Sequence, residues 1–367
     1  MKDIRIEKMA KVLVNYSMKI NKGNLFLIDG KYMSMPLIKE VYLEALKVGA
    51  NPMVRIAPEG IEEVFYKSAC EEQLNFANPI SLYEAEKIDA LLSIWGEYNT
   101  REKTGINPEL MKRRRKAREK EINVLNDRID KGEIKWCGTQ FPTYADAQEA
   151  SMSLDEYEDF VFGACMLNYD DPTAQWKKIK ESQDKIIKWL SGKSEFHVKA
   201  EDTDLRLRTD KRRWVNCCGQ QNFPDGEVFS SPVEHSINGH IRFSFPGIYN
   251  GREIEDIRLT FKDGKVVDAS AKVGQDLLLA LLDTDEGSRY VGEFAIGTNY
   301  EIKRFTKNML FDEKIGGTIH LAIGRGFEES DSKNNSLIHW DMLCDMRKGG
   351  EVYADGELFY KDGKLLI

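Results

Sequence analysis

Two short segments in the C-terminal part of the sequence combine imidazole and carboxylate side chains in strand-like surroundings. Residues 316–322 contain His320, and residues 336–341 contain both His339 and Asp341. The chain has only five histidines. Two of them in neighbouring segments, one as part of a His-x-Asp pattern, are therefore more informative than they would be in a histidine-rich protein. Imidazole and carboxylate groups are common ligands of divalent metal ions. These residues therefore indicate a metal site.

The alternation of side chains in the two segments predicts that these polar residues share one surface. Side chains two positions apart on a β-strand lie on the same face. His339 and Asp341 then face one way, whereas Trp340 and Met342 face the other way, into a core. His320 is also flanked on both sides by apolar residues. We therefore expect these polar residues on strands whose opposite face is buried.

Two glutamates add carboxylates to this set. Glu227 lies in a Gly-Glu-Val-Phe segment and Glu293 in a Gly-Glu-Phe-Ala-Ile-Gly segment, each flanked by glycine and apolar residues. Such a carboxylate is either exposed in a turn or paired, because burying an unpaired charge is costly. Together with His320, His339 and Asp341, they give three carboxylates and two imidazoles, a mixture that suits zinc, cobalt or manganese.

The elements that must position these residues begin with an α/β pattern. Amphipathic helical stretches alternate with apolar strand-like runs at residues 24–29, 51–56, 88–95 and 134–138. This β-α-β rhythm predicts a parallel sheet covered by helices. No glycine-rich phosphate loop follows these strands, so a nucleotide cofactor is not expected. We predict an α/β domain over residues 1–192, with a helical bridge near its end.

After residue 192 the pattern becomes β-rich. Short runs alternate apolar and polar residues with period two, and Asp263-Gly264 is a strong hairpin signal. One helical stretch, around residues 273–283, interrupts the strands. We predict that residues 193–367 form the β-rich, catalytic metal-binding domain. The expected fold class is α/β, with an N-terminal parallel α/β domain followed by a β-rich α+β metal-binding domain.

Composition and charge exclude several other classes of protein. A formal net charge of −8 disfavours binding to nucleic acid or to anionic membranes, because phosphate neutralisation needs a concentrated cationic surface. The pattern of the basic cluster at residues 111–120 indicates an exposed, charged helix face. The six cysteines show no Cys-x-x-Cys spacing, which argues against a zinc ribbon. No apolar run approaches the roughly 18 residues that span a bilayer. We expect a cytoplasmic protein.

Four motifs in order carry a resemblance to a known family. They are Gly-Glu-Val-Phe with a nearby proline (226–232), Gly-Glu-x-Ala-Ile-Gly-x-Asn (292–299), Gly-Gly-Thr-x-His (316–320) and Asn-x-Ser-x-x-His-x-Asp (334–341). In these motifs the sequence resembles the aminopeptidase T-type (thermophilic) metallo-aminopeptidases. The resemblance extends over essentially the whole chain and is strongest from residue 220 to 345.

The resemblance implies a function and a set of site residues. Glu227, Glu293, His320, His339 and Asp341 match the family's ligands of two divalent metal ions, which we expect to be zinc, cobalt, manganese or magnesium. The implied activity is hydrolysis of the N-terminal residue from a peptide substrate by a water that the two metals activate. Of the two glutamates, we expect Glu293 to act as the catalytic base. Family members also resemble one another in forming homodimers.

One departure from the family pattern keeps two alternatives open. Seven residues after His320 the family usually has a tyrosine, and this chain has Phe327, which can neither bind a metal nor donate a hydrogen bond. The first alternative is a mononuclear iron ring-cleaving dioxygenase. The second is a catalytically impaired homologue that binds peptides without cleaving them. A nucleic-acid-binding role would rest only on the basic cluster and ranks last.

Overall fold

The computed structural model describes residues 3–249 and 251–367, which divide into two compact units. The first contains the chain up to Thr173 together with Gly219–Phe223, and the second contains Ala174–Cys218 together with Pro224–Ile367. A long helix that starts at Pro172 therefore lies almost entirely in the second unit. The sequence-based boundary at residue 193 stays a prediction. In the described ranges, no helix is both long and apolar enough to cross a membrane.

The elements alternate in the first half of the chain and are mostly strands in the second. The helices are α1 (Ile4–Val12), α2 (Met35–Lys47), α3 (Ile61–Ser68), α4 (Glu71–Leu74), α5 (Pro79–Lys87), α6 (Pro108–Ala117), α7 (Glu119–Asp130), α8 (Tyr144–Glu149), α9 (Leu154–Ala164), α10 (Pro172–Leu190), α11 (Gln275–Leu282) and α12 (Met309–Asp312). The first ten strands are β1 (Leu25–Lys31), β2 (Asn51–Ala57), β3 (Ala90–Trp95), β4 (Lys135–Gln140), β5 (Glu195–Ala200), β6 (Thr203–Arg208), β7 (Val215–Cys217), β8 (Asn222–Phe223), β9 (Glu227–Ser230) and β10 (Asn238–Phe243). The last ten are β11 (Gly247–Tyr249), β12 (Arg252–Ile254), β13 (Ile257–Lys262), β14 (Lys265–Ser270), β15 (Val291–Gly297), β16 (Thr318–Gly324), β17 (His339–Asp345), β18 (Glu351–Ala354), β19 (Glu357–Lys361) and β20 (Lys364–Leu365).

The first unit is built on a parallel sheet in the order β2-β1-β3-β4-β8. The central strands are apolar on both faces, which a parallel sheet needs because helices cover both sides. On one face Leu27 and Leu91 pack against Leu125 and Ile129 of α7. On the other face, Ile38 of α2 approaches the backbone of β1 closely. The N-terminal parallel α/β domain expected from the sequence is confirmed.

The second unit contains an eight-stranded sheet, β14-β13-β10-β6-β5-β18-β19-β20, and a five-stranded sheet, β17-β16-β15-β9-β7. The Asp263-Gly264 turn joins β13 to β14 as a hairpin, as the sequence predicts. One apolar core includes side chains from both sheets, and the rings of Phe196 on β5 and Phe294 on β15 lie 5.7 Å apart within it. The five-stranded sheet thus keeps one face against the core and leaves the other for polar residues.

Helix α9 of the first unit begins with a capping box. The Ser153 hydroxyl accepts a hydrogen bond from the Glu156 backbone N–H at 3.2 Å, and the Glu156 carboxylate accepts one from the Ser153 backbone N–H at 2.9 Å. These bonds satisfy amide groups that have no partner within the helix.

We therefore expect Ser153→Ala to lower the free energy of unfolding by about 1 kcal/mol, measured by urea titration with far-UV circular dichroism. Ser182→Ala, at an exposed position inside α10, serves as the matched control and should change stability by less than about 0.5 kcal/mol, because alanine favours a helix interior. Equal effects of the two substitutions would contradict the capping role.

Candidate metal centre

The five residues that the sequence selects lie on four adjacent strands of the five-stranded sheet. Glu227 is on β9, Glu293 on β15, His320 on β16, and His339 and Asp341 on β17. In the antiparallel register, Ala322 lies opposite both Glu293 and Asp341, and residues opposite each other share a face. The structure brings all five side chains together on one face.

Small residues between the functional side chains leave room on this face. Ala322 separates Glu293 from Asp341 across the sheet, and Ala295 separates His320 from Phe229. A methyl group is too short to fill the space above the sheet, so the longer carboxylates and imidazoles converge over the alanines. On the opposite face, neighbours such as Phe294 belong to the apolar core. The alternation predicted from the sequence is therefore confirmed.

A β-bulge at Gly292 sets the direction of Glu293. The pairing of β15 with β16 shifts between Val291 and Glu293, so that Gly292 is the extra residue. A Cβ atom on Gly292 would lie 2.4 Å from the carbonyl oxygen of Gly324 and 2.5 Å from that of Arg325, so this close approach requires glycine. Bulges of this kind re-aim a side chain beside functional sites.

The distances within the site place Glu293 at its centre. His320 Nε2 lies 3.1 Å from Glu293 Oε1 and 3.3 Å from Glu227 Oε2. His339 Nε2 lies 3.4 Å from Asp341 Oδ2 and 3.8 Å from Glu293 Oε2. Each oxygen of Glu293 thus approaches a different histidine. His339 Nδ1 donates a hydrogen bond to the backbone carbonyl of Arg325 at 2.6 Å, which turns Nε2 toward the carboxylates.

The carboxylates change the protonation of both histidines. Burial opposes the charged form of His320, but its hydrogen bond to Glu293 and the charges of Glu227 and Asp341 raise its pKa to about 9. Burial also opposes the charged form of His339, and Asp341 and Glu293 raise its pKa to about 10. Because metal ions bind neutral imidazole, ion uptake must displace these protons and is favoured by rising pH.

The donor set fits divalent cations. Among the described residues, Glu227 Oε2 and Asp341 Oδ1 are buried oxygens without a hydrogen-bond donor, and buried carboxylate oxygens are normally satisfied. Glu227, Glu293 and His320 offer ligand atoms within 4.8 Å of one another, and so do Glu293, His339 and Asp341. The two groups share Glu293. A cation in each group would satisfy the unpartnered oxygens and screen the carboxylates from one another.

Two residues next to these groups were missed in the sequence analysis. Lys314 is almost fully buried, with Nζ 2.7 Å from Glu227 Oε1, in contact with the Glu313 carboxylate and 3.9 Å from Asp225 Oδ1. Glu313 also offers an oxygen within 4.8 Å of ligand atoms of His320 and Asp341. An Asp-Glu-Lys run between the apolar residues Phe311 and Ile315, directly before the histidine motif, was a sequence signal that these residues lie near the site.

The comparisons with known proteins agree on one family. The sequence matches the thermophilic metalloprotease (M29) family over residues 2–365. It is 26% identical to aminopeptidase 2 of Geobacillus stearothermophilus and 26% identical to aminopeptidase T of Thermus thermophilus, in both cases over 98% of this chain and 95% of the relative. The fold is similar to that of wild-type AmpT from Thermus thermophilus, with a TM-score of 0.87, 23% identity and 99% of each chain covered.

The chain therefore belongs to the thermophilic metalloprotease (M29) family. Its class is that of the metallo-aminopeptidases, which are hydrolases of the exopeptidase type, as the motifs predict. A more distant fold similarity relates it to 2,5-dihydroxypyridine dioxygenase from Pseudomonas putida KT2440, with a TM-score of 0.57, 11% identity and coverage of 98% of this chain and 96% of that one. At that identity the likeness concerns the fold alone.

Lys314 gives a prediction about stability without metal. Lys314→Met removes the cation and leaves the buried Glu227 and the partly buried Glu313 without it, so we expect the free energy of unfolding of the metal-free protein to fall by about 3–5 kcal/mol. Urea unfolding measures the change. Lys47→Met is the control, because Lys47 forms a half-exposed ion pair with Glu44 at 2.9 Å, and solvent screening makes the loss of such a pair far less costly than the loss of a buried one. Similar losses in both variants would contradict the role given to Lys314.

Proposed function

We propose that this protein releases N-terminal residues from peptides with two divalent metal ions held on the face of its five-stranded sheet that lies opposite the apolar core. The observation that carries the proposal is the pair of three-residue groups that share Glu293. A single site would need one group of ligands, whereas two groups with a common carboxylate suit two neighbouring ions. Membership of a metalloprotease family supports the same interpretation.

In this proposal each ion takes three protein ligands. Glu227, Glu293 and His320 would hold one ion, and Glu293, His339 and Asp341 would hold the other. The mixture of imidazole and carboxylate favours zinc, cobalt or manganese over magnesium, which prefers oxygen ligands. When bound, such a pair lowers the pKa of a water molecule and polarises the scissile carbonyl group. The protein contributes the fixed positions of the ligands, set by adjacent strands.

Proton transfer needs a carboxylate that does not hold both ions. Glu293 approaches both histidines, which supports a bridging role, and its assignment as the base stays a prediction. We infer that Glu313 is the better candidate. Burial and the neighbouring charges of Glu227 and Asp341 raise its pKa to about 7, although Lys314 opposes this shift. Glu313 also offers an oxygen within 4.8 Å of ligand atoms of His320 and Asp341, so its carboxylate lies where it can take up a proton from the attacking water and return it to the leaving amine.

The alternatives from the sequence are less well supported. A mononuclear dioxygenase would leave one of the two groups without a purpose, and the structural likeness to a dioxygenase concerns only the fold. An impaired, peptide-binding homologue is prompted by Phe327, but the five candidate ligands converge as a hydrolase would require. The homodimer and the cytoplasmic location expected from the sequence stay predictions. Light scattering on protein that elutes from a gel-filtration column tests the homodimer.

Metal reconstitution tests the proposed activity. We expect metal-stripped protein to regain release of the N-terminal residue from aminoacyl-p-nitroanilides and dipeptides when zinc, cobalt or manganese is added, with two ions bound per chain by mass spectrometry. Iron(II) should restore less activity, and no oxygen should be consumed. Full uptake of two ions without cleavage of any substrate would contradict the proposal and favour the binding-protein alternative.

The two glutamates can be separated by matched amide variants. We expect Glu313→Gln to keep two ions per chain but to lower kcat by roughly 100- to 10,000-fold, because it removes only a proton acceptor. Glu293→Gln should lose ions as well as activity, because it removes a ligand common to both groups. Calorimetric titration with zinc and steady-state kinetics provide the two measurements. Loss of an ion in Glu313→Gln would make Glu313 a ligand instead of the base.

A further inference from the structure

We propose that Phe327 forms an apolar wall of the subsite that receives the side chain of the substrate's N-terminal residue. The protein would then prefer peptides that begin with a large apolar residue over those that begin with glycine or aspartate. This inference rests on the proposed function and names the substrate class for the same site.

The burial of the ligands defines the side from which a substrate approaches. The side chain of His320 is fully buried, and those of Glu227, Glu293 and Asp341 are at most 10% exposed. The side chain of His339 is 26% exposed. A peptide must therefore reach the site past His339, and a residue beside this imidazole will contact it.

Phe327 is the apolar residue at that position. Its ring lies 4.9 Å from the imidazole of His339 and 5.6 Å from the ring of Phe229. Phe229 is two residues from Glu227 on β9, so it shares the face that carries the ligands. Phe327 itself is 42% exposed. The two rings thus form an apolar surface that starts beside the ligands and ends at solvent.

The backbone holds this ring in place. The carbonyl oxygen of Phe327 accepts hydrogen bonds from the backbone N–H groups of Ser330 and Ser332, both at 3.2 Å, and from the Ser330 hydroxyl at 2.9 Å. At the preceding Gly326, a Cβ atom would lie 2.1 Å from Ser332 Oγ and 2.5 Å from the Gly292 carbonyl oxygen. The loop is therefore tightly packed on the bulge that aims Glu293, and the subsite needs little ordering when a ligand binds.

The chemistry of this surface determines which side chain it favours. A leucine or phenylalanine side chain that lies on the rings of Phe327 and Phe229 leaves water, which is favourable. A glycine gains nothing from the same surface. An aspartate would lose hydration against aromatic carbon without a partner, which is costly. Discrimination between side chains by such a pocket amounts to about 10- to 100-fold in kcat/KM.

The test compares kcat/KM for leucyl, phenylalanyl, glycyl and aspartyl p-nitroanilides. We expect the wild type to prefer leucyl over glycyl by about 10- to 100-fold, and Phe327→Ala to reduce this preference about tenfold, mainly through a higher KM for the leucyl substrate. Phe327→Leu, which keeps an apolar side chain, should retain most of the preference and shows that the loop still folds. Phe76→Ala is the matched control, since Phe76 is an exposed phenylalanine of the first unit.

A binding measurement separates this inference from the proposed activity. Calorimetry with leucine hydroxamate and glycine hydroxamate on zinc-loaded protein needs no turnover. Tighter binding of the leucine compound in wild type and Phe76→Ala, lost in Phe327→Ala, supports the subsite even if no substrate is cleaved, and in that case only the proposed hydrolysis fails. Equal discrimination in wild type and Phe327→Ala overturns the role of Phe327 whether or not peptides are cleaved.

Discussion

The structure of the second unit depends on the cost of burying several carboxylates on one face of a sheet. Glu227, Glu293 and Asp341 are nearly inaccessible to solvent, and burying unpaired negative charge is strongly unfavourable. Among the described residues, two histidines and one lysine offset this cost. His320 lies beside Glu293, and His339 lies beside Asp341. Lys314 contacts Glu227. Metal ions would replace the protons of the histidines but not the charge of Lys314.

This arrangement requires a sheet with two different faces. The core side is filled by large residues such as Phe294 and Leu321, which fix the positions of the strands. The opposite side carries the five candidate ligands with Ala295 and Ala322 between them, so that long side chains meet above short ones. The bulge at Gly292 adds the one irregularity that this pattern needs. Rigid strands hold ligands more reproducibly than loops do, which suits a site whose geometry must exist before substrate binds.

The sequence predicted the fold class and selected five residues that the structure brings together on one face of a sheet, because both depend on local signals. Alternation placed His339 and Asp341 opposite Trp340, and hydrophobic runs identified the parallel strands. The contacts that the sequence did not predict join residues that are far apart in the chain and close together in the fold. Nothing in its local pattern shows that Lys314 contacts Glu227, 87 residues earlier in the chain. The shared position of Glu293 between two histidines was equally hidden, since it follows from strand order and from a bulge.

The distant fold likeness to a dioxygenase shows that the side chains of the site, and not the fold alone, determine the reaction. A protein with a similar fold and 11% identity has another name and another chemistry, so the fold does not determine the reaction. In this chain the deciding feature is that a group of candidate ligands, Glu227, Glu293 and His320, exists beside the group of Glu293, His339 and Asp341. The member of this group on β9 is Glu227. Lys314 donates a hydrogen bond to Oε1 of Glu227, and Oε2 faces His320. Glu293 and His320 would have no third candidate ligand on β9 without Glu227. Only the group of Glu293, His339 and Asp341 would then contain Glu293, and two neighbouring ions would have no structural support.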